Sequence, residues 1–231
     1  MEFFDSLIDD FSELSQAYSS RKIAYDRKKR WQENEYSKVI LQRDAALELD
    51  GTGFNLITGK PVEDSVVIIG DDLSDISSKR RFARICIVQL EDKDDEQQLY
   101  NLIRKVEYIK YHFFPEGYMI RTSSRVHKEA VRVSRDAVKK GLTFEQIGNM
   151  LISKYKENPA VKGVQVFFVT DCDFVYSEVE RIAEKNNSIL ETLNHVINSV
   201  KFDCDTCNLK AVCDEVDGMK ELHFKSMRQG S

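Results

Sequence analysis

Apolar residues in this chain never run far without interruption, and that limits what it can build. The longest stretches are Val66-Val67-Ile68-Ile69 and the neighbourhood of Val164–Val169. Both are rich in β-branched and aromatic side chains. Gly70-Asp71-Asp72 closes the first and Thr170-Asp171 follows the second. Runs of this length suit buried strands and fall far short of the roughly 20 residues a helix needs to cross a bilayer. Ala83–Leu90 reads as a further strand, closed by the acidic loop Glu91–Glu96, and Val39-Ile40-Leu41 and Ala46–Leu49 are strand material. Gly51-Thr52-Gly53 reads as a turn.

Between these runs the apolar period lengthens to that of a helix. Phe4, Leu7, Ile8, Phe11, Leu14 and Tyr18 mark one face of an N-terminal helix over 4–18. Leu99, Leu102, Ile103, Val106 and Ile109 mark a second, which stops before Pro115-Glu116-Gly117. Helices are expected over 126–140 and 144–156, the latter opened by Thr143 with Gln146 three residues on, a capping-box pattern. A long helix is expected from Val175 to Val200. Strands alternating with helices predict an α+β fold, a mixed sheet covered by helices. The expected organisation is an N-terminal helical extension (1–34), an α/β domain (35–200) and a cysteine-rich tail (201–231).

Composition agrees with a folded chain: 231 residues, 42% hydrophobic and 32% charged, with only 3 Pro and 10 Gly. Disordered, collagenous and solenoid classes are excluded. The acidic start Met1-Glu2-Phe3-Phe4-Asp5 lacks the features of a signal peptide, and five cysteines is an odd number for a disulfide framework. A reducing, cytoplasmic location is expected, with no membrane partner. The net charge of −5 argues against a nucleic-acid partner. The run Arg27-Lys28-Lys29-Arg30 beside Trp31 therefore reads as a solvated helix or linker.

The sharpest chemical feature is Cys204-Asp-Thr-Cys207-Asn-Leu-Lys-Ala-Val-Cys213, with His223 ten positions on. Clustered thiolates oxidise unless something ligates them, and two intervening residues let Cys204 and Cys207 converge on one metal or cluster face. The spacing fits an iron–sulfur cubane better than zinc, which stays open as the alternative. Cys86, inside an apolar strand, reads as a small core residue; Cys172 lies just past a strand end. Arg125, Lys128, Arg132, Arg135 and Lys139 recur at helical spacing. They form a ridge able to attract phosphates or an acidic partner, the alternative being a solvated helix face. Neither a phosphate-cradling glycine loop nor a dinucleotide fingerprint occurs.

Arg132-Val-Ser-Arg-Asp-Ala-Val-Lys-Lys-Gly141 resembles a segment of the beta subunit of carbon monoxide dehydrogenase/acetyl-CoA synthase. Val67-Ile-Ile-Gly-Asp-Asp-Leu73 and Gly163-Val-Gln-Val-Phe-Phe-Val-Thr-Asp171 are similar to two other segments of its middle domain. The order and separation of the three agree with that family, and the likeness covers about residues 35–223. In that family four cysteines hold a four-iron cubane, and the second bridges to nickel. The resemblance implies that Cys204, Cys207 and Cys213 match the first three, with Cys207 at the bridging position and His223 in place of the fourth. The Cys207–Cys213 gap is shorter than the family's.

The family also handles coenzyme A, which makes Arg125, Lys128 and Arg132 the implied ligands of its phosphates; Ala130 stands where the family has a tryptophan. The family's catalytic nickel domain and its N-terminal docking domain have no counterpart here, so nickel is not expected without a partner chain. The resemblance thus implies a cluster-bearing subunit or accessory module of a larger complex in anaerobic metabolism. A zinc-stabilised interaction module and an acyltransferase completed in trans by a nickel-ligand subunit are the alternatives.

Overall fold

Neighbouring residues of the strand Val161–Val169 carry the two halves of the core. Phe168 stacks on Phe144, with ring centroids 4.6 Å apart, on one side of the sheet. Phe167 meets Phe11 edge-on at 4.9 Å on the other. Side chains alternate along a strand, so this sheet must be covered on both faces. The computed structural model describes residues 3–31, 46–91, 95–122 and 127–197. In chain order these form α1 (Asp5–Gln16), β1 (Ser20–Ala24), β2 (Ala46–Thr58), β3 (Ser65–Ile69), β4 (Arg80–Leu90), α2 (Glu96–Ile109), β5 (Tyr118–Thr122), β6 (Lys128–Ser134), α3 (Arg135–Lys139), α4 (Phe144–Tyr155), β7 (Val161–Val169) and α5 (Tyr176–Ile197).

The strands form one α+β sheet in the order β1-β3-β7-β4-β2-β6-β5. It is mixed: β2 runs parallel to β4 and β3 to β7, while the other neighbours are antiparallel. Helix α4 covers β3 and β7 on one face. Helices α1 and α5 pack together and onto β2, with Phe4, Leu7 and Phe11 of the N-terminal segment buried in the common core. Strand β6 pairs with β5 on one side and, on the other, with the Ala46–Thr52 part of β2; α2 packs against β2, α4 and α5. No helix among the described residues is long and apolar enough to cross a membrane.

Several expected elements are present at the expected places. The capping box at α4 forms: Gln146 donates its backbone N–H to Thr143 Oγ1 at 3.3 Å, and Thr143 donates its own to Gln146 Oε1 at 3.1 Å. Asp95 caps α2 by accepting from the Gln98 backbone N–H at 2.9 Å.

Three expectations are corrected. Gly51-Thr52-Gly53 is no turn but the middle of β2, where a Cβ on Gly51 would lie 1.6 Å from the Phe82 carbonyl oxygen. The glycines are there because neighbouring atoms occupy the side-chain space. The helix expected over 126–140 is strand β6 followed, after Ser134 as N-cap, by the five-residue α3. Val131 and Val133 are buried two residues apart, and that period of two prevails; a separation of four, as between Lys128 and Arg132, fits either period. Within the N-terminal extension expected to be helical (1–34), Ser20–Ala24 instead forms edge strand β1 against β3. The strand expected at Val39–Leu41 lies outside the described residues.

Candidate functional site

Strand β2 starts parallel to β4 with Leu49 opposite Arg80, and the first residues of β4 bring a basic triplet, Lys79-Arg80-Arg81, to the sheet's end. Together with Lys128 of β6 they line a cleft of about 540 Å³ between β2 and α5. The acidic side of the cleft is Asp50, Glu180 and Glu184. Three of the cations are engaged. Lys79 pairs with Asp50 at 3.3 Å, Arg81 with Glu180 at 3.0 Å, and Arg80 with Asp71 at 3.2 Å. Arg80 also donates to Cys172 Sγ at 2.7 Å. The Arg81 guanidinium lies 4.9 Å from the centre of the Tyr176 ring. Burial, with Asp171 nearby, pushes the Tyr176 hydroxyl well above the usual tyrosine range. Lys128 has no carboxylate partner among the described residues, so its ammonium is the cation most open to an anionic ligand.

Beneath this cleft lies a different electrostatic arrangement. Arg84, in mid-β4, is 1% exposed and Glu129 of β6 is wholly buried. Their bond is bidentate: Arg84 Nε donates to Glu129 Oε1 at 2.9 Å and Nη2 to Oε2 at 2.7 Å. Gly53 makes the room, because a Cβ there would fall 1.9 Å from Glu129 Oε2. Arg84 Nη1 also donates to Cys86 Sγ at 3.0 Å, and Tyr155 donates to Asn55 Oδ1 at 2.6 Å. Burial opposes the Arg84 charge, yet Glu129 holds the guanidinium above its ordinary pKa. Burial pushes the thiol of Cys86 and the phenols of Tyr118 and Tyr155 up. These groups stay neutral around a fixed ion pair. Such a core is built to be rigid rather than reactive.

Of the sequence-predicted ligands, only Lys128 and Arg132 lie among the described residues. Lys128 faces the cleft. Arg132 lies on the same face of β6, roughly 13 Å further along the strand, and pairs with Glu48 at 3.1 Å. Arg135 donates both Nη1 and Nη2 to the Ser77 carbonyl at 3.3 Å. The ridge is not one helix face, because its residues straddle a strand and a short helix. Arg125, Cys204, Cys207, Cys213 and His223 lie outside the described residues. Among the described residues no cluster of three or more His, Cys, Asp or Glu could hold a metal ion. The cations missed in the sequence reading are Lys79, Arg80 and Arg81; a basic triplet directly before an apolar strand was the available signal.

Residues 35–175 match the model of the family described as CO dehydrogenase/acetyl-CoA synthase complex beta subunit. The chain belongs to that family. Two relatives are acetyl-CoA decarbonylase/synthase complex subunits beta 1 and beta 2 of Methanocaldococcus jannaschii. Each is 27% identical over 175 residues, an alignment covering 71% of this chain. It covers 23% of the first relative and 36% of the second, so the chain spans only about a quarter to a third of the beta subunits it resembles. The family match takes in β2 through β7, and with them the buried ion pair and the β-strand side of the cleft; it ends ahead of α5, which supplies the cleft's Glu180 and Glu184, and of the cysteine run.

Proposed function

We propose that this chain is an acetyl-CoA synthase-related cluster-bearing subunit or accessory module that works within a larger protein complex. The observation that carries the reading is family membership across the sheet combined with a donor set of three thiolates and one imidazole beyond it. The family is named for the beta subunit of a complex, which supports other protein subunits as partners. Cys204, Cys207, Cys213 and His223 would hold the metal group. Three sulfur ligands and one nitrogen suit a four-iron cluster, with histidine raising the potential relative to a fourth thiolate. When bound, the cluster would supply one-electron transfer. The chain's own task would be to hold the ligands close, exclude water and present the site to a partner.

Anaerobic purification with iron, sulfide, zinc and nickel analysis tests the reading. Iron and sulfide in equal amounts, lost together in Cys207→Ser, are the expected result. Stoichiometric zinc without iron would overturn the redox role. It would favour the zinc-stabilised interaction module, because the same Cys3His set also closes a tetrahedral zinc site. Nickel that co-purifies only with a partner chain, accompanied by acyl transfer, would support an enzyme completed in trans.

Coenzyme A is the proposed small-molecule ligand, with Arg125, Lys128 and Arg132 as cationic partners of its phosphates. The open ammonium of Lys128 supports that role. Titration with coenzyme A should weaken in Arg125→Ala, Lys128→Ala and Arg132→Ala, and unchanged affinity in all three would discard the assignment.

A further inference from the structure

The basic run Arg27-Lys28-Lys29-Arg30 plays no part in lining the cleft between β2 and α5, yet it is placed with care. Asn149 of α4 is wholly buried and clamps the run from inside. Its Nδ2 donates to the Lys29 carbonyl at 2.9 Å, and its Oδ1 accepts the Asp26 backbone N–H at 3.2 Å. The Asp26 side chain accepts the Lys28 backbone N–H at 2.8 Å, and Tyr25 shares a hydrogen bond of 2.8 Å with Ser153. The loop is thus fixed in shape before any ligand arrives.

It forms one wall of a groove of about 680 Å³, with the second half of α4 and the His112–Pro115 segment as the others. The two lysines lining the groove have acidic partners, Lys154 with Glu157 and Lys156 with Asp64, and Lys29 of the loop pairs with Glu145. Arg27 and Arg30 are exposed and have no carboxylate partner among the described residues. Opposite them stand aromatic rings that folding leaves in water. Phe114, in the groove's lining, is 71% exposed, and Tyr108, outside the lining, is 60% exposed. His112 stacks on Tyr108 with centroids 3.7 Å apart. Uncommitted guanidinium groups facing an exposed aromatic platform fit one kind of ligand chemistry. The guanidinium groups take phosphate oxygens in bidentate fashion, and the rings stack on a flat heterocycle. The volume lies in the range of pockets for small molecules.

We propose that this groove binds a nucleoside phosphate, with Arg27 and Arg30 on the phosphates and Phe114 and His112 against the base. The site is independent of any metal at the C-terminal cysteines. A chain stripped of metal by chelator binds the nucleotide equally well, so failure of the cluster reading leaves this one standing.

The test uses the full chain and ATP. Trp31 is the only tryptophan and adjoins Arg30, so its fluorescence reports binding, with calorimetry for stoichiometry. One ATP per chain is expected, with affinity falling roughly tenfold in Arg27→Ala and in Arg30→Ala, about the loss of one charge-assisted hydrogen bond. Phe114→Ala should weaken ATP roughly fivefold or more through lost stacking while leaving tripolyphosphate unchanged. Lys79→Ala, in the other cleft, should change nothing. All three groove positions are exposed, and a matching thermal melt confirms that each variant is folded. Absence of saturable binding at millimolar ATP would overturn the proposal, as would affinities indifferent to Arg27 and Arg30. So would tripolyphosphate matching ATP with Phe114→Ala silent, or a single-stranded oligonucleotide far outcompeting ATP.

Discussion

Two sets of charges in this molecule are built from the same side chains and do opposite things. Arg84 and Glu129 face each other across β2 with water excluded, the strand between them reduced to glycine so that the pair fits. The cations at the sheet's end and on the basic loop are exposed or half-exposed, some ion-paired at the surface and others, such as Lys128, Arg27 and Arg30, without a carboxylate partner among the described residues, and most of them line open clefts. A buried ion pair is held in place because either partner alone would be an uncompensated charge in an apolar core. An exposed cation can trade its partner for a ligand at little cost. The contrast separates where this family member keeps its shape from where it can make contacts.

The sharpest way to break that contrast is Glu129→Ala. It strands the Arg84 guanidinium in the core, and the expected loss is about 3–5 kcal/mol in urea unfolding. A loss below 1 kcal/mol would mean that water reaches Arg84 and the two regions do not differ. Next in size is Gly53→Ala, whose new methyl collides with the Glu129 carboxylate; overpacking of this kind costs about 1–3 kcal/mol. Because the clash is with Glu129 itself, the same substitution in the Glu129→Ala background should be much milder. Additive effects in that double-mutant cycle would place the strain elsewhere.

A smaller effect should appear in the pH profile. His127 is 6% exposed, and burial, then Lys110, lowers its pKa; Glu107, Asn187 and Glu191 oppose the shift. The folded state therefore takes up its proton at lower pH than the unfolded chain, whose imidazole has a pKa of about 6.5. Stability from this group is full above that value and declines as pH falls from it towards the depressed folded pKa. Asn tolerates the positive φ of 45° that His127 adopts, so His127→Asn should flatten that part of the acid limb. An unchanged limb would assign it to other groups. Smallest of all, Glu48→Ala and Glu180→Ala, which release Arg132 and Arg81, should each change stability by less than about 1 kcal/mol. What little they change should shrink further in high salt, while the Glu129→Ala loss should not.

Much of the sheet could be read in advance from runs such as Val66–Ile69 and Ala83–Leu90, because a strand's apolar content is written within a few consecutive residues. Helix α4 was legible for the same reason, down to its Thr143–Gln146 cap. The segment 126–140 was not. Lys128 and Arg132 sit four residues apart, an interval that a helix and a strand both accommodate, and only pairing with β2 and β5 selects the strand. Of the site residues, Lys128 and Arg132 are implied as ligands by the family resemblance and expected on a helix face, whereas their placement follows from β6. Lys79, Arg80 and Arg81 could have been suspected from their clustering before β4, but nothing local shows that a strand 48 residues later would bring Lys128 beside them.

By itself the sequence determined the class of the fold, most of its strands and helices, and the spacing of the cysteines toward the C-terminal end on which the proposed metal site rests. Those depend on periodicity, capping and ligand chemistry, which act over a handful of residues. Only the tertiary structure decided that Gly51 and Gly53 lie mid-strand, that Arg84 meets Glu129 across 45 residues of chain, and which cations remain open to a ligand. The space above a glycine and the partner of a charge are set by whatever the fold packs against them.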